Sequence, residues 1–197
     1  MSYSIATNEL TLADIRGYKA QAINAGVLVA QRRGIGDSLY DARDNPKGNL
    51  TVRAGFPFTD FGNGAMGWLT ENYVNPAIAA VGWGSVFSAG ALPAFAPQLA
   101  NTKVAVFYKF ANTSAIPLTT AVRFRIGNQG SSTKGTFYLQ LETEAKLEPD
   151  VYFSEPVVYE PQDFIYIEAW YTAIVGAGGQ TFPFGTFIIE RLGPTVS

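Results

Sequence analysis

Histidine and cysteine are both absent from this 197-residue chain, and each absence removes a body of chemistry. Without imidazole there is no Ser-His-Asp or Cys-His machinery, and the commonest zinc ligand and general base near neutral pH are gone. Without thiols there is no disulfide framework, no thiolate nucleophile and no cysteine metal site, and the redox compartment stays open. Gly34 and Gly36 form a Gly-x-Gly after Arg32-Arg33, but the third glycine of a dinucleotide fingerprint and the Lys-Ser or Lys-Thr of a P-loop are missing. A structural or binding protein follows, with no catalytic residue, cofactor or metal expected.

Charge is scarce too. Only 15% of residues are Asp, Glu, Lys or Arg, against roughly 25% in an average soluble domain. A net charge of -2 gives no general attraction to nucleic acid or to an anionic membrane, so no direct nucleic-acid partner is expected. Between Glu71 and Lys103 there is no charge at all. That stretch exceeds the about 20 apolar residues a spanning helix needs, but Pro76, Pro93, Pro97, Gly82, Gly84 and Gly90 interrupt it, so no membrane span is expected. Met1 to Leu10 has neither a basic start nor a continuous apolar run, so no secretion signal of the usual kind is expected.

What is present is aromatic and apolar. The hydrophobic fraction is 47% and the aromatic fraction 14%, ample for one buried core at this length. Thr11-Leu12-Ala13-Asp14 has the form of a capping box. It predicts a helix from Leu12 to about Asn24, stopped by Gly26, with Val27 to Ala30 extended and Arg32 to Gly55 an ordered loop or arm. From Val104 the apolar period becomes two, as a half-buried strand requires. Val104, Val106, Tyr108 and Phe110 share one side, and Val122, Phe124 and Ile126 oppose Arg123 and Arg125. Phe137, Leu139 and Leu141 oppose Tyr138, Gln140 and Glu142. Ile165, Ile167, Ala169 and Tyr171 form one face of a further strand whose other face carries Phe164, Tyr166 and Trp170. The last strand, Thr181 to Arg191, is apolar on both faces, which places it between two layers or against a neighbouring chain.

Gly- and Ser-rich turns at Gly127–Gly135, Asn112–Pro117 and Gly176–Gly179 separate these strands with no helix between them. The fold expected is all-β: an antiparallel β-sandwich of the jelly-roll kind, with residues 1–55 as N-terminal helix and extended arm and 56–197 as the sandwich domain.

Glu148-Pro149, Glu155-Pro156 and Glu160-Pro161 point to edge strand and turn, because each Pro removes a ladder donor. Glycoside hydrolysis needs two carboxyls roughly 5 to 10 Å apart; Glu142 and Glu144 could share a face, but the ordered acidic motif of sandwich-fold glycosidases is missing. Asp41, Asp44, Asn45 and Gly48 lack EF-hand spacing and read as an Asx-rich turn. Residues before Phe56 hold seven basic and five acidic side chains, the remainder seven and eleven, so a basic arm is joined to an acidic body. The segment from Phe56 to Phe95 concentrates Trp68, Trp83, Phe87 and Phe95 among small residues, a composition that favours burial between subunits over sugar stacking.

An N-terminal arm, an uncharged Gly and aromatic middle, and hairpin strands ending in Phe164–Trp170 and Phe187–Glu190 together resemble the jelly-roll capsid and capsid-decoration (cement) proteins of bacteriophages and other icosahedral viruses. The resemblance implies a structural virion protein, assembled in the host cytoplasm. It would associate with itself as a trimer or larger symmetric set, and with other capsid subunits. It implies interface roles for Leu12, Ile15, Arg32 and Arg33 on the arm and for Trp68, Trp83, Phe87 and Phe95 on the body. A carbohydrate-binding β-sandwich module and a phage tail or neck component are the alternatives.

Overall fold

The computed structural model describes residues 4–6, 11–55, 60, 73–74, 77–86, 98–126, 132–138 and 150–193. In chain order the elements are β1 (Ser4–Ala6), α1 (Leu12–Arg32), β2 (Leu50–Ala54), β3 (Tyr73–Val74), β4 (Gly82–Ser85), β5 (Lys103–Phe110), β6 (Thr119–Ile126), β7 (Ser132–Tyr138), β8 (Val151–Tyr159), β9 (Tyr166–Tyr171), β10 (Thr181–Phe182) and β11 (Phe184–Arg191). No helix among the described residues is long and apolar enough to cross a membrane.

The capping box forms: Asp14 N–H donates to Thr11 Oγ1 at 3.3 Å, and Thr11 N–H returns to Asp14 Oδ2 at 2.9 Å. The helix then runs past the expected stop at Gly26 to Arg32, so Val27 to Ala30 are helical and not extended. The stop is Gly34, in the left-handed region at φ 69°. There Ile35 N–H donates to Ala30 O at 2.9 Å and Gly34 N–H to Gln31 O at 3.0 Å, the paired bonds of a Schellman motif. Gly26 has another use. A Cβ at that position would fall 2.1 Å from Ile189 Cδ1 and 2.6 Å from Val106 Cγ2, so its bare backbone lets the helix lie flat on the sheet.

Eight strands carry the architecture, and their pairing is nested. Counting only β2, β4 to β9 and β11, the first pairs with the last (β2 with β11), the second with the seventh (β4 with β9), the third with the sixth (β5 with β8) and the fourth with the fifth (β6 with β7), all antiparallel. This long double ribbon is rolled so that β11 also meets β5 and β9 also meets β6. Two sheets result, in the orders β1-β8-β5-β11-β2 and β4-β9-β6-β7. Such a wiring is a jelly roll. The expected β-sandwich with an N-terminal helix is therefore what the chain forms, and β2 is an edge strand of its first sheet.

Between the sheets lies the main core. Phe107, Phe110, Phe153, Val157, Tyr159 and Ile188 from the first sheet meet Val122, Phe124, Phe137, Ile167, Ala169 and Tyr171 from the second. The rings of Phe137 and Phe153 stack at 4.1 Å, and Phe107 meets Phe124 at 5.3 Å. Alternation along the strands sends the other apolar set outward. Val104, Val106, Tyr108, Tyr152 and Ile189 join Ala22 and Ala30 of α1 in a second cluster. Strand β11 is apolar on both faces because it is the middle layer of three. Phe110 departs from the expected side of β5 and enters the inner core, downstream of a register shift between Phe107 and Lys109. The final strand divides at Pro183 into β10 and β11, where proline supplies no ladder donor.

Candidate interaction surface

The two outer faces of the sandwich are unlike. On the first sheet, α1 covers the face with Ile15, Tyr18, Val27 and Val29 packed onto the second cluster. On the second sheet, Trp83 of β4 lies opposite Trp170 of β9, and Ser85, Glu168, Arg123 and Thr136 form the adjoining row across all four strands. The indole rings meet edge to face at 5.5 Å, and the Arg123 guanidinium lies over Trp83 at 4.2 Å. Arg123 also donates through Nε to Glu168 Oε2, and Arg125 Nη1 reaches the same oxygen at 3.3 Å. Glu168 is only 6% exposed, which a carboxylate tolerates because it is paired and hydrogen-bonded. Arg125 Nε is buried without a hydrogen-bond partner. Trp170 stays 37% exposed.

Period-two alternation builds this face. Ile167, Ala169 and Tyr171 point into the core, so Tyr166, Glu168 and Trp170 point out. Burial, with the nearby Glu168 charge, pushes the Tyr166 hydroxyl above its usual pKa. Tryptophan, tyrosine and arginine are also the residues that dominate binding energy at protein interfaces.

The residues expected at interfaces fall into three groups. Trp83 sits on the outer face just described. Leu12 is 73% exposed at the start of α1, whereas Ile15 packs inward onto the second cluster. Arg32 and Arg33 both bind Glu160 of the same chain, Arg33 through Nε at 2.6 Å and each also through Nη2. Burial would raise the Glu160 carboxyl, but the Arg33 hydrogen bond and the Arg33, Arg32 and Lys134 charges outweigh it and hold its pKa below the ordinary value. Trp68, Phe87 and Phe95 lie outside the described residues.

Most of the described acids in the chain's C-terminal half are held in ion pairs. Asp150 meets Lys109 at 2.8 Å, and Asp163 meets Lys134 at 3.4 Å; Glu142, Glu144 and Glu148 lie outside the described residues. Pro156 falls in the stretch of β8 where pairing with β5 is irregular, as a strand proline should. Asp41 closes the expected Asx turn, its Oδ1 accepting from Arg43 N–H at 2.7 Å and Asp44 N–H at 2.9 Å. Sequence reasoning missed the buried amides of Asn112, 7% exposed, and Gln180, 2% exposed. Nothing in the local pattern distinguishes them from ordinary loop amides.

No family model and no curated protein matches the chain. Among solved structures it is similar to that of the infectious bursal disease virus Gx strain, at 13% identity over 82% of this chain and 40% of that one, with a TM-score of 0.30. It is also similar to the VP2 subviral particle of the same virus, at 13% identity, 80% and 38% coverage and a TM-score of 0.29. T=1 particles derived from that virus give 14% identity, 80% and 37% coverage and a TM-score of 0.31. The chain thus spans about two fifths of the length of those proteins. TM-scores near 0.3 are too low to carry an assignment, and the jelly-roll identity rests on the strand pairing alone.

Proposed function

We propose that this protein is a structural subunit of a virion, a capsid or capsid-decoration subunit that stabilises a shell by holding its neighbours. The observation that carries the reading is the inequality of the two sheets. One outer face is sealed by α1, while the other presents Trp83, Trp170, Tyr166 and the Arg123–Glu168–Arg125 cluster in the manner of an interface core. Jelly rolls of this wiring serve as viral capsid domains, and also as lectins and cupins, so the wiring alone does not select among them. Low charge and high aromatic content favour a surface meant to be covered. The work is then mechanical: apolar area removed from water at roughly 25 cal/mol per Å², set against the entropy of association.

Mass photometry and sedimentation velocity of the full chain over a wide concentration range test the reading. A trimer or larger closed assembly is expected. A single 21.2 kDa species at every concentration would sink it.

Trp170 also favours a second reading, since an exposed indole beside arginines can stack on a sugar ring. A carbohydrate-binding module would show saturable quenching of tryptophan fluorescence with at least one glycan of an array, abolished by Trp170→Ala. No response on the array removes this alternative.

A further inference from the structure

The outer face of the second sheet holds two arginines against one carboxylate. The row from Ser85 through Glu168 and Arg123 to Thr136, with the neighbouring pairs Trp83–Trp170 and Tyr166–Arg125, contains no other charge. The face is therefore positive, on a chain whose own charge is -2. Beside the charges Trp170 stays 37% exposed, edge to face with Trp83 at 5.5 Å. Arg123 lies over Trp83, so the guanidinium, the carboxylate and the exposed indole adjoin one another.

Arg123 is fixed from two sides. Its Nε donates to Glu168 Oε2, and its guanidinium plane is held over the Trp83 ring at 4.2 Å. Neither contact uses Nη1 or Nη2, and these make no hydrogen bond among the described residues. A guanidinium carries five N–H donors in a rigid plane. Its two Nη groups are thus an unused fork, of the kind that grips a carboxylate through two parallel bonds. Arg125 is also under-used: Nη1 reaches Glu168 at 3.3 Å, while Nε is buried with no partner. Glu168 is the converse. Both arginines address its Oε2, and Oε1 accepts from none of the described residues. The site therefore offers a fork of donors and one acceptor oxygen, next to an aromatic platform.

We propose that this face binds an acidic sugar, whose ring stacks on Trp170, whose carboxylate takes the Arg123 fork and whose hydroxyl donates to Glu168. The inference rests on the carbohydrate reading of Trp170 and adds the class of sugar and the residue that selects it. One carboxylate balances the surplus positive charge of the face. A neutral sugar would leave the fork to water. An acidic peptide side chain brings acceptors only, so it satisfies Arg123 but meets Glu168 as a like charge. A sugar acid carries an anion and hydroxyl donors on one ring and answers both groups. The face of a sheet also offers no backbone partners, because its amides and carbonyls are used in the ladder. A peptide laid across it would find none for its own N–H and C=O groups.

An array of neutral, sulfated, uronic-acid and sialic-acid oligosaccharides, followed by calorimetric titration of the full chain, tests the inference. Carboxylated sugars should bind. The methyl ester of the best of them keeps the ring and removes the charge, and should bind the parent chain roughly tenfold more weakly, as losing a charge-assisted bond does. Arg123→Lys keeps the positive charge and loses the fork. It should weaken binding of the acid and leave binding of the ester unchanged, whereas damage to the fold would weaken both. Trp170→Ala should abolish both. An ester that binds as tightly as its acid, or neutral sugars that bind as tightly as acidic ones, overturns the inference while the carbohydrate reading stands. Preference for sulfated over carboxylated sugars overturns it in the same way. Tighter binding of hexaglutamate assigns the face to an acidic protein segment and overturns it. Silence from the whole array overturns the carbohydrate reading and the inference with it.

Discussion

At Gly26 the backbone of α1 touches the first sheet so closely that a single methyl group decides the packing. Alanine would gain about 1 kcal/mol of helix propensity, yet its Cβ would sit 2.1 Å from Ile189 Cδ1, a clash that outweighs the gain. Gly26→Ala should lower stability, and Gly26→Val should cost about 1–3 kcal/mol, the usual range for overpacking a core. Urea unfolding with the m-value held constant checks both. Gln180 works in the opposite sense, by supplying partners. Gln180→Ala leaves Asn112 Nδ2 and Leu118 N–H short of an acceptor, at a cost of about 1–3 kcal/mol for buried groups left unpaired. Neither residue announces its role in the sequence. Gly26 reads as a helix stop because glycine ends helices, and only the neighbouring sheet shows why it sits inside one.

The Arg32–Glu160–Arg33 clasp ties the end of α1 to the turn after β8, and its strength follows pH. Glu160 titrates lower when folded than its ordinary value of 4.5, so its contribution is complete above that value and disappears as pH falls through the lowered one. The arginines are more than half exposed, which limits the contribution to about 0.5–1 kcal/mol. The parent should therefore exceed Glu160→Gln in stability at pH 7 by about that margin, and the difference should shrink as pH falls below 4.5 and vanish once Glu160 is protonated in the folded chain. A margin that persists in acid, measured by denaturant unfolding at both pH values, would show that the residue acts through packing and not through charge.

Among the elements, those with an uninterrupted period were legible. The face of Ile165, Ile167, Ala169 and Tyr171 and that of Val122, Phe124 and Ile126 were readable because alternation on one strand survives any tertiary arrangement. So was the capping box, which depends only on residues three apart. The end of α1 was not, because Gly34 and Gly26 carry the same local signal and tertiary contact decides between them. The side of Phe110 was not, because a register shift is a property of two strands. Strand β11 was readable as a middle layer, but not that α1 covers it. Removing residues 1–33 should uncover Val104, Val106, Tyr108, Tyr152 and Ile189. The truncated chain is expected to bind a hydrophobic dye and to aggregate where the full chain does not; a soluble, dye-negative truncation would show that α1 is dispensable to the sandwich.

For the whole molecule, the nested pairing gives a sandwich whose surfaces are specialised by charge. Ion pairs gather around the end of α1 and the first sheet, where Arg53, Asp60, Lys103 and Glu190 form one network and Glu160 binds both arginines. Lys109 and Asp150 pair near the end that bears Ile116 and Ile174, and the outer face of the second sheet carries Trp83 and Trp170 beside the Arg123–Glu168–Arg125 cluster. Sequence analysis saw the uncharged stretch from Asn72 to Thr102 and expected it to be covered. It could not see that 111–118 and 172–183, far along the chain, are bonded to one another and, through Ile78 and Val175, to part of it. Electron cryomicroscopy of the purified full chain tests the central claim most directly. The account requires closed symmetric assemblies of the chain. Fields of isolated single-chain particles, at concentrations where the protein is folded, would contradict it.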